Sequence, residues 1–249
     1  MKIISKFIDA MKYSFCVLII FFILASCNQE MSGDELLDNA IKYHDPTHKW
    51  NDFKATLFIN LETPEKPIRY SKVTIDQMTG SFILNESRSE RIIERKIENG
   101  ECEISMNGES IFSEEDVLKY RLTCERTKFI RNYYTYLYGL PMKLKDEGTI
   151  IHPEVQKENF MGTNYLVLKI TYDNNVGDDT WYFYFNPKTY AMEAYKFYHD
   201  ESNNDGEYIL LSEILEVNGI KIPKIRKWFV NKNNEFLGSD ILTKFEVPE

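Results

Sequence analysis

Apolar and polar residues alternate with a period of two over much of the chain. Residues 53–61 place Phe, Ala, Leu, Ile and Leu on one face, the pattern of a β-strand with one buried side. Comparable segments, separated by turns rich in Asn, Asp and Gly, predict further strands at about residues 68–76, 81–86, 90–98, 101–106, 165–172, 180–185, 192–199, 208–217, 225–230 and 237–245. The spacing therefore predicts a sheet built of consecutive antiparallel hairpins.

Three segments show helical spacing instead. The first helix is predicted over about residues 33–43, where Ser32 and Glu35 occupy the positions of a capping box. A second helix is predicted to begin at about residue 114, within a run of acidic residues that favours a helix N-terminus. A third, over about residues 124–138, is rich in aromatic residues, so we expect it to be largely buried against the sheet.

The strand at residues 180–185 is apolar or aromatic on both of its faces. A strand with one face in water would carry a polar residue at every second position. We therefore expect both faces to be covered, with a ligand or the helices as one cover. The predicted fold class is α+β: a strongly curved antiparallel sheet, a half-barrel of about ten or eleven strands, with helices packed on its concave side.

The N-terminal segment has the pattern of a bacterial lipoprotein signal. Its apolar run, residues 15–25, is shorter than the ~20 residues that span a bilayer, and Lys2, Lys6 and Lys12 supply a positive flank. The run ends in Leu-Ala-Ser before Cys27, the residue that such signals acylate. The alternatives are a short buried helix followed by a chance cysteine and, for the signal itself, a start at Met11.

This interpretation divides the chain into three parts. Residues 1–26 are predicted to be cleaved, residues 27–33 to form a tether, and residues 34–249 to form a single domain. The acyl chains on Cys27 would anchor the protein stably in the cell envelope, because two or more chains hold a protein at a membrane where one chain does not. We expect this membrane to be the outer membrane. The membrane is thus one predicted partner.

Charge narrows the choice of other partners. The whole chain carries a net charge of −9, and residues 1–26 hold three lysines and one aspartate, so the mature part carries −11. An acidic protein is not expected to bind nucleic acid. We expect a monomer, with a lipid or another hydrophobic molecule as the candidate ligand.

Two cysteines, Cys102 and Cys124, remain beside Cys27 in the mature chain. An oxidising compartment permits a disulfide between them. The sequence leaves this disulfide and two separate thiols equally open.

Catalytic and metal-binding motifs are absent from the sequence, which has no HExxH, CxxC, GxSxG or phosphate-binding loop. His44 and His48 have the spacing of a metal pair on a helix, but Pro46 lies between them. Residues 201–206 faintly resemble a calcium-binding loop without its initial Asp, and we interpret them as a polar turn. We therefore predict neither an enzyme, nor a metal site, nor a cofactor.

Aromatic residues in the last third of the chain are the candidate ligand contacts. The residues that could line an apolar cavity are Trp181, Phe183, Phe185, Tyr195, Phe197 and Trp228. Aromatic residues at strand spacing are also typical of an ordinary core, so the sequence leaves both interpretations open.

Several segments resemble those of an uncharacterised family of secreted Gram-negative lipoproteins. They are residues 138–144, 179–190, 197–201, 205–209 and 219–228. The architecture of that family is similar to the half-barrel of the outer-membrane lipoprotein carriers LolA and LolB, in which a concave sheet holds acyl chains under a helical lid. The resemblance implies a fold and no biochemical activity.

Two classes of function follow. The first is a lipid-anchored, non-enzymatic module that binds a hydrophobic or acyl-chain ligand in the concave face of the sheet. The second is a structural or protein-interaction lipoprotein whose concave face is filled by its own helices. A hydrolase ranks third, because the sequence shows no nucleophile or metal constellation.

Overall fold

All the strands in the described part of the chain belong to one β-sheet. The computed structural model describes residues 30–248, so residues 1–26 and Cys27 lie outside the described part. Within that part there are three α-helices, α1 (Gly33–His44), α2 (Glu114–Tyr120) and α3 (Cys124–Gly139). The strands are β1 (Lys54–Glu62), β2 (Arg69–Asp76), β3 (Ser81–Arg88), β4 (Arg91–Glu98), β5 (Glu101–Met106), β6 (Thr149–Phe160), β7 (Thr163–Tyr172), β8 (Thr180–Phe185), β9 (Met192–Tyr198), β10 (Glu207–Val217), β11 (Ile220–Val230) and β12 (Phe236–Glu246).

The twelve strands form an open, curved antiparallel sheet in the order β5-β4-β3-β2-β1-β12-β11-β10-β9-β8-β7-β6. The chain runs outward from β1 to the edge strand β5, and then returns from the other edge strand, β6, to β12, which pairs with β1. The connection between the two edges contains α2 and α3. The predicted α+β class with helices packed on a curved sheet is confirmed, with twelve strands instead of ten or eleven.

The additional strand is β6, which the sequence analysis did not predict. Its burial does not alternate, since most of its residues are partly or fully exposed, and it contains Pro153. The β6–β7 register shifts between Ile151 and Val155, around this proline. An edge strand tolerates a proline because one side of its backbone needs no ladder hydrogen bond. The proline thus marks an irregularity inside the strand.

Helix α1 starts at the predicted capping residue. The Ser32 hydroxyl accepts a hydrogen bond from the Glu35 amide at 3.2 Å, and the helix buries Leu36, Leu37 and Ala40 on one side. Ser32, which the sequence assigned to the tether, also forms an isolated β-bridge with Glu154. Among the described residues, the first one with a backbone bridge to the sheet is thus Ser32, two residues before the predicted start of the domain.

We call the face of the sheet that contacts α1 and α3 the inner face. The pairing register places the following residues on it: Ala55, Leu57, Val73, Phe82, Leu168, Phe183, Trp228 and Asp240. Helix α1 packs against β6, β7 and β11, and a Cβ atom on Gly33 would lie 2.9 Å from the Leu168 side chain. The main core lies between this face and the helices.

The outer face of β8 is covered as well, as its sequence predicted. Tyr184 is buried there with Val167 and Ala194. The cover comes from the β6–β7 hairpin, whose Phe160 ring lies 4.8 Å from the Tyr184 ring and whose Tyr165 ring lies 5.7 Å from it. The second cover is therefore neither a ligand nor a helix.

Among residues 30–248, none of the helices combines the length and the apolar character needed to cross a membrane.

Candidate functional site

A cavity of about 1070 Å³ lies between α3 and the inner face of the sheet. Its walls come from α3, from the ends of β1–β3 and β7–β12, and from the loops at residues 143–149 and 176–179. Ligand pockets in proteins typically have volumes of about 300–1,000 Å³, so the volume of this cavity is at the upper end of that range.

The N-terminal end of α3 is attached to strands β4 and β5, at one edge of the sheet. The Thr123 hydroxyl caps the helix by accepting a hydrogen bond from the Arg126 amide at 3.2 Å. Cys124 is joined by a disulfide to Cys102 in β5, with their Cα atoms 6.0 Å apart. The buried Arg95 guanidinium donates to the Thr127 hydroxyl at 3.3 Å. A covalent bond and buried polar contacts therefore position this end of the helix.

The C-terminal end of α3 is held over the middle of the sheet. The buried Arg226 guanidinium donates hydrogen bonds to the carbonyl oxygens of Leu137 at 3.2 Å and Pro223 at 3.0 Å. It also lies 4.1 Å from the Tyr138 ring centre. Gly139 packs so closely on the Trp50 ring that a Cβ atom there would lie 2.3 Å from it. The helix thus lies across the sheet and is fastened at both ends.

Three of the six predicted cavity residues line the cavity: Trp181, Phe197 and Trp228. The Trp181 and Phe197 rings stack at 4.8 Å, and Tyr133 of α3 stacks on Trp228 at 6.4 Å. Together with Tyr136, 5.6 Å from Trp181, these rings form an aromatic wall.

The other three predicted residues, Phe183, Phe185 and Tyr195, are completely buried next to the cavity. They lie on the same inner face. In β8, Phe183 and Phe185 are the next two inner residues after Trp181, and in β9 Tyr195 is the inner residue before Phe197. The structure thus brings all six residues onto one face and divides them between the cavity wall and the closed core.

One part of the wall is charged, which the sequence analysis did not predict. Asp240 of β12 is opposite Leu61 of β1, which in turn is opposite Arg69 of β2. Burial raises the pKa of Asp240, while Arg69 and Arg226 oppose that shift. Arg69 lies 3.7 Å from Glu86 and donates to the Tyr134 hydroxyl at 3.4 Å. Asp240 is an acid at an inner position of a predicted strand, and this feature of the sequence could have identified the charged part of the wall.

The opposite part of the wall combines tyrosines with a second acid. The Tyr136 and Tyr172 hydroxyls lie 2.6 Å apart, and burial raises the pKa of both, that of Tyr172 to about 12. Burial also raises the pKa of Glu207. Near the solvent, His199 Nδ1 lies 2.6 Å from an Asp179 oxygen, and this hydrogen bond raises the pKa of His199.

The residues considered for metal binding have other roles. His44 is buried, whereas His48 is exposed, so the two do not form a pair. Asp205 accepts hydrogen bonds from the amides of His199 and Asp200 at 2.8 and 2.9 Å, as expected of a polar turn. Within residues 30–248, no three His, Cys, Asp or Glu side chains are grouped so that they could hold a metal ion.

Comparisons with known structures define the class of this fold. A LolA superfamily protein from Nitrosomonas europaea superposes with a TM-score of 0.52 at 14% identity, over 88% of this chain and 94% of that one. A Vibrio parahaemolyticus domain provisionally assigned to outer-membrane lipoprotein sorting has a TM-score of 0.43 at 12% identity, over 86% and 93% of the two chains. A DUF1329 family protein from Desulfovibrio piger reaches 0.42 at 12% identity, over 86% and 92%. The superposition on the Nitrosomonas europaea protein shows that the fold is LolA-like.

The sequence match defines the family. Residues 12–244 match the model of DUF6503, a family of unknown function, and the chain belongs to that family. This confirms the resemblance to an uncharacterised family with LolA-like architecture. A comparison with curated proteins gave no match.

Proposed function

We propose that this protein is a lipid-anchored cell-envelope module that binds the acyl chain of a hydrophobic ligand in the cavity under α3. The observation that carries the proposal is the aromatic wall formed by Trp181, Phe197 and Trp228 beside a large cavity. Aromatic and apolar walls with a few polar groups are typical of small-molecule sites. The LolA-like fold supports the proposal as an architecture similar to that of lipoprotein carriers.

Binding can be tested with N-phenyl-1-naphthylamine, an uncharged apolar fluorophore. We expect the mature chain carrying Cys27→Ser to bind it, and native mass spectrometry to detect a co-purified lipid. Phe197→Ala should weaken binding, because Phe197 lines the cavity. Phe58→Ala is the matched control, since Phe58 is also partly buried but occupies an outer position of β1. Absence of binding, or equal losses in both variants, would contradict the proposal.

The anchor is a separate part of the proposal and rests on the sequence before Cys27. Cells grown with labelled palmitate should incorporate the label into this protein, and the precursor should be shortened at Cys27. The Cys27→Ser variant should lose both properties. A wild-type protein without label would remove the anchor and the outer-membrane location from the proposal, while leaving the cavity unaffected.

A protein-interaction role is the second candidate, and a specific surface favours it. Helix α2 buries none of its residues; Leu118 in this helix is 80% exposed, and Ile111 in the loop before it is 91% exposed. Exposed apolar residues close together are typical of interaction surfaces. Crosslinking in the envelope should recover partners at this helix if the role is correct, and Leu118→Ser should abolish that recovery.

A further inference from the structure

Four arginine side chains lie around one carboxylate at the end of the cavity nearest the N-terminus of α3. Register places Arg69 of β2, Glu86 of β3 and Arg95 of β4 on the inner face of the sheet. Arg126, in the first turn of α3, and Arg121, in the link before this helix, complete the group. We call the four arginines the arginine cluster; two of them, Arg69 and Arg126, line the cavity together with Glu86.

Nearby carboxylates balance only part of the positive charge of the arginine cluster. Among residues 30–248, the only carboxylate within 4.0 Å of one of these arginines is that of Glu86, 3.7 Å from Arg69 Nε. Arg95 donates hydrogen bonds to one hydroxyl and two carbonyl oxygens, which carry no net charge. The buried Asp240 lies directly opposite another arginine, Arg226, which counters its charge. Four positive charges against one negative charge therefore leave an excess of positive charge here, in a protein that is acidic as a whole.

Arg126 is the member of the arginine cluster that is free to bind a ligand. In the part of the chain that the structure describes, no carboxylate or other acceptor binds its guanidinium, which lies over the Phe129 ring at 4.6 Å from the ring centre. Burial lowers the pKa of Arg126, and the positive charges of Arg121 and Arg69 lower it further. The buried Arg69 Nε also has no hydrogen-bond partner among residues 30–248. An anion bound here would accept hydrogen bonds from free N–H groups and reduce the repulsion between the arginines.

The far part of the cavity wall has the opposite charge. Four carboxylates line it, with one lysine and one histidine: Asp146, Glu147, Asp179, Glu207, Lys143 and His199. Glu207 belongs to β10, which is four strands along the sheet from β2. An anionic group would be repelled at this end and attracted at the other, so it would direct a bound amphiphile with its head at Arg126 and its chain towards the aromatic wall.

We infer that the ligand of this cavity is an amphiphile with an anionic head, a carboxylate or a phosphate, which the Arg126 guanidinium binds beside Arg69 while the chain lies along the aromatic wall. This inference rests on the proposed function, and it adds the chemical class and the position of the ligand's head.

Four probes with the same chain test the inference: decanoate, decyl phosphate, decanol and decyltrimethylammonium. Each is used below its critical micelle concentration to displace N-phenyl-1-naphthylamine from the mature Cys27→Ser chain at pH 7.5. At least one of the two anions should bind about tenfold more tightly than decanol, the effect of a charge-assisted hydrogen bond. The cationic probe should bind most weakly. The tighter anion identifies the head as the carboxylate of a fatty acid or as a phosphate group.

Arg126→Gln should lower the affinity for the tighter anion about tenfold, to the level of decanol, because it removes the charge and keeps a polar side chain. Decanol binding should stay unchanged, which also shows that the variant is folded. Lys128→Gln is the matched control: it removes a positive charge from the same helix, but Lys128 is exposed and lies outside the cavity wall. This control should leave the order of the four affinities unchanged.

Glu86→Gln gives a result in the opposite direction. Removing the one carboxylate among the arginines should strengthen binding of the anions about threefold relative to decanol, because its repulsion of the head is lost. A gain in affinity cannot result from a poorly folded variant.

The outcomes separate the two levels of the proposal. If the fluorophore does not bind at all, the proposed function fails. If the fluorophore binds but neither anion binds more tightly than decanol, or Arg126→Gln and Lys128→Gln weaken anion binding equally, the inference about the head is overturned and the cavity remains.

Discussion

Two ends of the same aromatic strands have different covers. At one end, Phe183 and Phe185 are completely buried, and α1 packs nearby through Leu36 and Leu37, which are also completely buried. At the other end, Trp181 and Phe197 face a cavity under α3. The inner face is aromatic at both ends, so the helix above it decides whether an aromatic residue belongs to the core or to a cavity wall.

The reason lies in the side chains of the two helices. Helix α1 presents a compact aliphatic stripe that can interdigitate with the sheet. Helix α3 presents tyrosines, and its Phe129 is 56% exposed, so it is less buried than its aromatic sequence predicted. Fastening at both ends holds α3 above the sheet without close packing along its whole length.

A matched pair of substitutions tests this difference most strongly. Phe183→Ala should lower the free energy of unfolding by about 3–5 kcal/mol, because it leaves a cavity in a close-packed region. Phe197→Ala should cost less, because its ring already borders open space, while it should weaken binding of the fluorophore more. Urea denaturation measures the first quantity. Equal losses of stability would show that the two ends are packed alike.

The attachment of α3 can be removed chemically. Replacing both Cys102 and Cys124 by Ser should lower the free energy of unfolding by about 3 kcal/mol, the chain-entropy effect of opening a loop of this size. The mass of the intact protein before and after reduction would show whether the disulfide forms in the cell, which stays a prediction. A variant that unfolds at the same urea concentration as the wild-type protein would mean that α3 does not need the bond.

The attachment of α1 should respond to pH instead. His44 is buried, its Nδ1 donates to the Lys221 carbonyl at 2.7 Å and its Nε2 accepts from the Met192 amide at 2.9 Å. Burial lowers the pKa of His44 to about 4. In the unfolded chain the imidazole takes up a proton near its ordinary pKa of about 6.5. The stability that His44 contributes as a neutral side chain is therefore fully present above pH 6.5. It is lost as the pH falls from 6.5 towards 4, because only the unfolded chain is protonated in that range.

The expected size of this effect is about 2 kcal/mol between pH 8 and pH 5. It would be measured as urea denaturation at both pH values. His44→Gln should reduce the pH dependence, whereas His199→Gln, at an exposed histidine with a raised pKa, should preserve this acid-induced loss. An unchanged pH dependence in His44→Gln would exclude His44 as its source.

Local patterns were sufficient for most of the individual elements. The capping residue Ser32 and the apolar spacing after it predicted α1. Alternation, or in β8 a short run of aromatic residues, predicted eleven of the twelve strands in the described part. Strand β6 was not predicted, because an edge strand that is exposed along most of its length has no alternation to detect.

For the candidate site, the sequence identified the aromatic residues and not the polar ones. Trp181, Phe197 and Trp228 were recognisable as a class, since strand spacing places them on one face. Asp240 and Arg69 are far apart in sequence, and only the pairing of β12 with β1 and of β1 with β2 brings them into one row.

Amino-acid order alone was enough to establish an α+β chain of antiparallel hairpins with an aromatic inner face, because these properties depend on neighbours within a few residues. The division of that face into a closed core and an open cavity depends on the connection between the edge strands, which carries α3 across the sheet. It also depends on buried contacts between residues as distant as Arg226 and Leu137. Such contacts leave no periodic pattern in the chain, so they become visible only when the strands and helices are assembled.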